Sequence, residues 1–371
     1  MIKPSEPSIP EHLAGAVLGI NLDAIVGNYR TLCQNLDTVA CAAVVKANAY
    51  GLGLEPVAMA LAKAGCEIFF VAHIDEGIRL RRLLPDHQIH VLNGLMTGSE
   101  SDFRSHCLIP VLGSLQEIRR WQQSCGSEPQ PCDLHIDTGM LRLGLPPSEL
   151  ATIANDPSLL SGLDLQLVLS HLASADDAAS VQNQQQLELF RQARQIIPTG
   201  RASFCNSSGI FLGADYHFDI ARPGVALYGI NPTPTRPNPM QAVVTLHARI
   251  LQVREASPPA HVGYGASFAI CQPSRVATAA IGYADGIPRA LSNRSHGYID
   301  GLKVPLIGRI SMDLTTFDVS NTPAGVAVPG QWIELIGPNH SLEQLAQEAD
   351  TISYEILTSL GRRYHRVYKG G

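Results

Sequence analysis

The side chain best suited to covalent chemistry is Lys46, in the segment VVKANAYGLG. It follows an apolar run that predicts a β-strand, and burial on one side disfavours the charged ammonium form. A neutral amine is a nucleophile that forms a Schiff base with an aldehyde. A lysine at the end of a strand is more often a solvated charge, so the position alone does not establish a site. The residues that follow strengthen the interpretation because they supply a tight turn and an aromatic hydroxyl: Asn48, Tyr50, Gly51 and Gly53.

The elements around Lys46 alternate between short apolar runs and helical patterns from about Thr38 to Gly224. TVACAAVVKA predicts a strand, EPVAMALAKAG a helix, and VQNQQQLELFRQARQII the longest helix. The apolar runs are nearly continuous, as is typical of parallel strands covered on both faces. About eight such units favour a (β/α)8 TIM-type barrel, in which sites lie at the carboxyl ends of the strands. The count alone leaves an open doubly wound sheet as an alternative.

A second domain is predicted after the Pro-rich segment NPTPTRPNP, which is typical of a linker. AVVTLHARILQVREA, RVATAAIGYA and GQWIELIG are short strands with turn signals and few helices between them. We therefore predict a barrel over residues 1–235 and a mostly β domain over 236–371. An early strand at about residues 15–22, AVLGINL, is expected to pair with this second domain.

Composition excludes several classes of protein. The net charge is −6, so no basic surface for nucleic acid is predicted. The eight cysteines form no CxxC pair and do not combine with histidines at zinc-ligand spacing, which indicates reduced thiols and no metal site. No segment approaches the ~20 apolar residues of a membrane span, and LAGAVLGI lacks the basic flank of a signal peptide. We expect a cytoplasmic protein that does not bind membranes.

A family resemblance rests on KANAYGLG, which is similar to the cofactor-lysine motif KANAYGHG of alanine racemases. Eight further segments match that family in the same order: HIDTGMLRLG, SHLASAD, NSSG, ARPGVALYG, GYGASF, GYADGIPR, GRISMD and TISYEIL. The resemblance covers nearly the whole chain. It implies a fold-type III pyridoxal 5'-phosphate enzyme, an isomerase (EC 5.1.1.1), with a barrel followed by a β domain.

The resemblance assigns two bases, because racemisation removes a proton from one face of Cα and delivers another to the opposite face. Lys46 acts on the D face, and Tyr264, in GYGASF, acts on the L face. The flanking Gly263 and Gly265 allow a close approach to a ligand. The phenol must lose its proton near neutral pH, and the family pattern suggests His171 and Arg222 as sources of positive charge.

Arg222, in ARPGVALYG, is placed by the resemblance against the pyridine nitrogen of the cofactor. An arginine does not give up its proton to a pyridine. The ring then stays neutral and stabilises a carbanion less than a protonated ring does, which favours racemisation over transamination. His171, at the end of LDLQLVLSHL, matches the residue that stacks on the cofactor ring.

The remaining family positions concern the phosphate, the substrate and the substrate entrance. Residues that match phosphate contacts are Tyr50, Asn206, Ser207, Gly224, Val225 and Tyr354. Arg142 matches a residue that bonds the cofactor phenolate and faces the substrate carboxylate, which Met312 also contacts through its backbone amide; Asp313 is expected to support that loop. Residues that match the entrance are Tyr283, Arg289 and Tyr354.

The sequence departs from the family pattern at His135, where many members carry a carbamylated lysine that orients the neighbouring arginine. A neutral histidine cannot replace that anion, so we hypothesise that another anion supports Arg142 and that activation needs no carbon dioxide. Leu52 replaces the motif histidine and is expected to alter only packing.

The resemblance implies interconversion of L- and D-alanine by a homodimer with shared active sites, in which Tyr264 and Met312 enter the partner's barrel. The product would serve as a peptidoglycan precursor, or the reaction would serve alanine catabolism. A racemase for another or a broader set of amino acids stays open. A decarboxylase of the same architecture is disfavoured by Arg222, and a non-catalytic cofactor carrier by the β domain and Tyr264.

Overall fold

The computed structural model describes residues 9–371. Contacts divide this chain into two compact units. The barrel unit comprises Asp23–Ala49, Gly53–Gln241 and Gly371. The β unit comprises residues 9–22, Tyr50–Leu52 and Ala242–Gly370, so the chain enters it briefly just after Lys46. Among residues 9–371, no helix is both long and apolar enough to cross a lipid bilayer.

The chain begins with strand β1 (Ala16–Asn21) and helix α1 (Leu22–Leu36). The barrel strands follow: β2 (Ala40–Cys41), β3 (Ala43–Val44), β4 (Ile68–Val71), β5 (Gln88–Val91), β6 (Ile109–Leu112), β7 (Pro131–His135), β8 (Asp164–Leu169), β9 (Arg201–Ser203) and β10 (Ile220–Ala221). The helices between them are α2 (Lys46–Tyr50), α3 (Leu54–Lys63), α4 (Ile74–Leu83), α5 (Glu100–Ser105), α6 (Leu115–Cys125), α7 (Pro147–Asn155) and α8 (Val181–Ile196).

The barrel closes through the short strand β10. Strands β3 to β9 form one parallel sheet in chain order, and β10 pairs in parallel with β2. The N–H groups of Ala42 and Val44 donate to the carbonyls of Ala221 and Pro223 at 2.9 and 3.0 Å. On its other side, the Arg222 N–H donates to the carbonyl of Cys205 at 3.0 Å. Since β2 and β3 occupy one strand position, the predicted eight-stranded barrel is confirmed.

The β unit contains β11 (Val244–Ala256), β12 (Ala260–Val262), β13 (Phe268–Ile270), β14 (Ser274–Ala279), β15 (His296–Ile299), β16 (Leu302–Pro305), β17 (Thr315–Asp318), β18 (Trp332–Ile336), α9 (Leu342–Glu348), α10 (Ser353–Ser359) and β19 (His365–Lys369). The main sheet runs β16-β15-β18-β11-β1-β19, with β14 and β17 attached through β11. Strand β1 pairs antiparallel with β11, Leu18 opposite Leu246, and parallel with β19. The second half is mostly β, as predicted.

Short 3₁₀ turns carry several of the functional segments: Glu11–Leu13, Pro157–Leu160, Gly209–Leu212, Ala214–Tyr216, Val225–Tyr228, Tyr264–Ala266, Tyr283–Asp285 and Arg289–Leu291. Fully buried aliphatic and aromatic side chains form the core of the barrel unit, among them Phe69, Phe70 and Leu134. Buried polar groups of the same unit include His90, Asp133 and Arg222. Burying a polar group is costly unless it has a hydrogen-bond partner, so these residues are candidates for a functional site.

Candidate active site

Lys46 lies two residues after the end of β3, at the carboxyl end of the first barrel strand. Burial lowers the pKa of its ammonium, the positive charge of Arg142 lowers it further, and the carboxylate of Glu76 opposes both effects. A larger share of neutral amine follows at neutral pH. Such an amine is both a nucleophile and a base.

The segment α2 after Lys46 is a left-handed turn rather than a right-handed helix. Residues 47–50 have φ between 53° and 56°, a region that costs about 1–2 kcal/mol per L-residue. The carboxylate of Glu76 secures the turn: it accepts from the N–H of Asn48 at 3.2 Å and from the N–H groups of Ala72 and His73 at 3.0 and 3.2 Å. The strain is therefore held by a bond to the next loop of the barrel, as is common where a side chain must be aimed.

Within the β unit, the segment Tyr50–Leu52 is fixed by its backbone. Arg366 donates to the carbonyl of Gly51 at 2.7 Å, and the Tyr368 hydroxyl donates to the carbonyl of Leu52 at 2.9 Å. A Cβ atom at Gly51 would lie 2.3 Å from the carbonyl oxygen of Leu357, so only glycine fits. Tyr50 is buried. The motif that follows Lys46 is thus clamped on both of its sides by hydrogen bonds.

Arg222 is buried, 4% exposed, inside the barrel. Its guanidinium donates to the Ser203 hydroxyl and to the carbonyl of Ser170, and it lies 5.9 Å from the ring centre of Phe70. Among residues 9–371, no carboxylate lies within ion-pair distance of it. Burial lowers the pKa of Arg222 to about 10, so the group stays charged at neutral pH.

A buried ion pair near Arg222 was not predicted from the sequence. His90 Nδ1 of β5 and Asp133 Oδ2 of β7 are 2.6 Å apart, and both side chains are fully buried. The His90 ring stacks on Phe70, the ring that Arg222 also faces. Burial raises the pKa of Asp133, and the charges of His90 and Arg222 oppose that rise. Only the alternation of side chains on β5 and β7 could have signalled that these two residues point inward.

His171 follows β8 and is held through its backbone by helix α8. The Gln186 side chain donates to the carbonyl of His171 at 2.9 Å and to the Thr138 hydroxyl at 3.1 Å. Burial, followed by the charges of Arg222 and Arg142, lowers the pKa of His171 well below its usual value. The expectation that His171 supplies positive charge is therefore wrong, because the ring is neutral at pH 7. Gln186 also escaped the sequence analysis.

His135 ends β7 and is neutral for similar reasons, since burial, followed by the charges of Arg222 and Arg142, lowers its pKa to about 4. Arg142 stands on an exposed loop after β7. The carboxylate of Asp137 holds that loop by accepting from the N–H groups of Gly139 and Met140 at 2.9 and 3.0 Å. Asp137 is also the anion whose charge raises the pKa of His135.

The Ser207 side chain is hydrogen-bonded to the backbone at the start of the turn Val225–Tyr228. The Ser207 hydroxyl accepts from the N–H groups of Gly224 and Ala226 at 3.0 and 3.2 Å. Its own hydrogen can then be donated to a ligand. The Asn206 side chain accepts from the N–H of Gly209 at 3.0 Å and donates to the carbonyl of Leu172 at 3.3 Å. The Ser207 hydroxyl thus joins the loop that contains Asn206 to the backbone that contains Gly224 and Val225.

In the β unit, the residues expected near a substrate are exposed. Tyr264 is 71% and Met312 53% exposed. Gly263 and Gly265 have φ of 75° and 69°, and a Cβ at Gly263 would lie 3.0 Å from the Arg309 nitrogen. Tyr283, Tyr354 and Arg289 are also exposed. These residues therefore lie at the surface of the β unit.

An ion-pair network unforeseen in the sequence positions two of those loops. Arg363 donates to Asp285 Oδ1 at 2.7 Å and to Asp313 Oδ1 at 2.7 Å, and these hydrogen bonds raise its pKa. Asp285 in turn accepts from the N–H of Gly282 at 2.9 Å. The N–H of Tyr283 donates to the carbonyl of Ser311 at 3.0 Å. Asp313 was expected to support the Met312 loop, and the interaction that can do so is its ion pair with Arg363.

Comparison with known proteins identifies both halves of the chain. The model of the alanine racemase N-terminal domain matches residues 20–232, and that of the C-terminal domain matches residues 243–368. An alanine racemase of Rhodospirillum rubrum is 50% identical over 364 residues, which cover 97% of each chain. A catabolic alanine racemase of Agrobacterium fabrum is 46% identical over 96% of this chain and 92% of its own.

The fold has close matches among solved structures. An alanine racemase from Bartonella henselae, with covalently bound pyridoxal phosphate, superposes with a TM-score of 0.93 at 44% identity and covers 96% of this chain and 100% of its own. The biosynthetic enzyme of Pseudomonas aeruginosa gives a TM-score of 0.89 at 30% identity over 96% of this chain and 100% of its own. With two matching domains and relatives near half identity over almost its full length, this chain belongs to the alanine racemase family.

Proposed function

We propose that the protein interconverts L- and D-alanine with pyridoxal 5'-phosphate bound at Lys46. The observation that carries the proposal is the buried cation Arg222, which lacks a carboxylate partner in the described chain and lies in the same barrel as a lysine of lowered pKa. A decarboxylase or transaminase of the same cofactor needs an acid in that place.

The residues of the barrel unit fit this cofactor. The Ser207 hydroxyl accepts two backbone hydrogen bonds and keeps one hydrogen for a phosphate oxygen. Arg222 uses two of its nitrogens on Ser203 and Ser170, which leaves further N–H groups for a ring nitrogen. Asn206, Gly224 and Val225 would complete the phosphate site, His171 would lie against the cofactor ring, and Lys46 would carry the covalent link.

Pyridoxal phosphate supplies an electron sink for the negative charge that remains when the α-proton of the amino acid leaves. Lys46 holds or removes the proton on the D face of Cα, because burial favours its neutral amine. Tyr264 of the partner subunit holds or removes the proton on the L face. Arg222 donates a hydrogen bond without giving up its proton, and the modest charge stabilisation that results favours return of the proton to Cα.

Substrate size and orientation depend on two further groups of residues. Arg142 and the backbone amide of Met312 of the partner subunit bind the carboxylate of the amino acid. Tyr283, Arg289 and Tyr354 narrow the entrance and favour a methyl side chain. A broader range of amino acids is the alternative.

A homodimer with shared sites follows from this assignment, because Tyr264 and Met312 must reach another barrel. Their exposure of 71% and 53% supports that role, and Arg363 fixes the Met312 loop. We place the enzyme in the cytoplasm, where its eight free cysteines remain reduced. One similar relative is named a catabolic alanine racemase, and another is named an alanine racemase with no stated role. Both wall synthesis and alanine catabolism are therefore compatible with the proposed reaction.

The test is a panel of L-amino acids incubated with the holoenzyme in deuterated water. Exchange at Cα is measured by NMR, and handedness is measured by chiral chromatography. Alanine should exchange and racemise fastest. If the protein bound pyridoxal phosphate and left the handedness of alanine unchanged, the proposal would fail; equal rates for large side chains would favour the broad-specificity alternative.

A further inference from the structure

A second cluster of chemistry-bearing side chains lies in the β unit and includes none of the residues assigned to racemisation. It consists of His296 at the start of β15, His340 just before α9, and Glu348 at the end of α9. One ligand atom from each side chain lies within 4.8 Å of the other two. We propose that these three side chains form a zinc site that ties β15 to helix α9.

The separations suit a zinc ion. His296 Nδ1 lies 3.1 Å from Glu348 Oε1, and His340 Nε2 lies 3.4 Å from Glu348 Oε2. Zinc bonds of about 2.0–2.2 Å in a tetrahedron place ligand atoms roughly 3.3 Å apart. Each histidine therefore already lies near one carboxylate oxygen of Glu348. The two rings are stacked at an interplanar angle of 26°, so one ring must turn out of the stack for both nitrogens to point at one ion. Two histidines and a glutamate leave one coordination position for water.

The polar atoms of the cluster lack the partners that burial demands. The His340 side chain is fully buried, and within residues 9–371 neither ring nitrogen makes a hydrogen bond of good geometry, although Nε2 lies 3.4 Å from Glu348 Oε2 and the ring lies near the Leu335 backbone. Glu348 Oε2 is also buried and without one. Unsatisfied buried groups cost about 1–3 kcal/mol each. A bound cation satisfies the carboxylate and one nitrogen of each ring at once, whereas the two rings, stacked 4.2 Å apart, cannot satisfy each other.

The charges around the cluster favour a cation. Glu348 and the nearby Glu334 supply negative charge, and Lys303 is the cation that opposes them.

Access and rigidity complete the argument. Glu348 and His296 retain side-chain exposures of 24% and 12%, so an ion can enter from solvent. The carbonyl of His340 accepts from the N–H of Gly337 at 2.9 Å, and Ser341 caps α9, so His340 and Glu348 stand at the two ends of one fixed helix. No metal was predicted from the sequence because His296 is far from the other two ligands in the chain and the cluster includes no cysteine.

The experiment uses the full-length holoenzyme after treatment with a chelator. Zinc is titrated by calorimetry, and cobalt is used as a spectroscopic substitute. We expect one zinc per chain, a cobalt spectrum without a sulfur charge-transfer band, and binding at least tenfold weaker in Glu348→Gln and in His296→Gln. His261→Gln, at an exposed histidine of β12, is the matched control and should bind as the unmodified chain does.

Thermal unfolding gives a second measurement that does not depend on racemase activity. Zinc should raise the midpoint of the unmodified chain and of His261→Gln, and should leave that of Glu348→Gln unchanged. Absence of stoichiometric zinc, equal affinity in the Glu348→Gln and His296→Gln variants, or a sulfur band in the cobalt spectrum would each overturn the proposal.

Discussion

The barrel and the β unit position their functional side chains in opposite ways. In the barrel, burial lowers the pKa of Lys46, His171 and Arg222, and hydrogen bonds from neighbouring residues fix the segments that carry them. In the β unit, Tyr264 and Met312 stand exposed, and the Met312 loop is fixed by the surface ion pairs of Arg363. One half of the proposed site is therefore buried within a single chain, while the groups of the other half remain exposed, and the proposed homodimer would bury them.

The largest expected effect comes from the buried half. Lys46→Ala removes the covalent link and one base, so racemisation of alanine should fall by about 10⁴-fold or more. Turnover is measured by chiral chromatography, and the covalent link by mass spectrometry after borohydride reduction. Lys63→Ala, at an exposed lysine, is the matched control. Normal turnover in Lys46→Ala would show that Lys46 is neither the cofactor link nor a base in the reaction.

Tyr264→Phe tests the exposed half and should reduce racemisation by about 10²–10⁴-fold, the usual contribution of one general base. Cofactor binding should persist because no cradle residue changes. Exchange of the α-proton of L-alanine in deuterated water should be lost while that of D-alanine survives, since Lys46 still serves the D face. Tyr216→Phe is the control; equal loss of both exchanges would contradict the two-base assignment.

The buried half should also make stability depend on pH. His135 has a folded pKa of about 4 and an unfolded pKa of about 6.5, so the unfolded chain binds a proton first as pH falls. Its contribution, about 3 kcal/mol, is complete above pH 6.5 and lost as pH falls towards 4. Urea unfolding at pH 5 and 8 should show a smaller difference in His135→Gln than in the unmodified chain or His261→Gln. Equal differences would exclude this role.

A smaller effect is expected from the ion pairs of the exposed half. Arg363→Met releases the loops of Met312 and Tyr283, and a small misplacement of either should lower kcat/KM for alanine by about tenfold. Steady-state kinetics and a melting curve are recorded together, with Arg254→Met as an exposed control. Unchanged kcat/KM would mean that these loops are positioned by something other than Arg363.

No effect at all is expected from carbon dioxide. His135 cannot form the lysine carbamate, and Asp137 supplies the nearby anion. Activity in degassed buffer should therefore equal activity with added bicarbonate. Activation by bicarbonate, or a ¹³C carbamate signal on a lysine beside Arg142, would show that an anion is still required from solution.

Much of the fold could be predicted from the sequence because hydrophobic periodicity is a local property. The helix α8 and the strand before Lys46 follow from continuous or periodic apolar residues. Helix α1 was not anticipated, since Gly27 and Asn28 interrupt its pattern; in the structure Asn28 donates to the carbonyls of Leu227 and Gln241. Such a helix depends on contacts that no local window contains.

The kinds of chemistry available can be read from the amino-acid sequence: an amine after a buried strand, and an arginine that cannot protonate a pyridine. Which charges survive burial depends on the folded chain, because the solvation of a group is set by residues far away in the sequence. Folding makes His135 and His171 neutral, joins His90 to Asp133, links Asp285 to Asp313 through Arg363, and brings His296, His340 and Glu348 together.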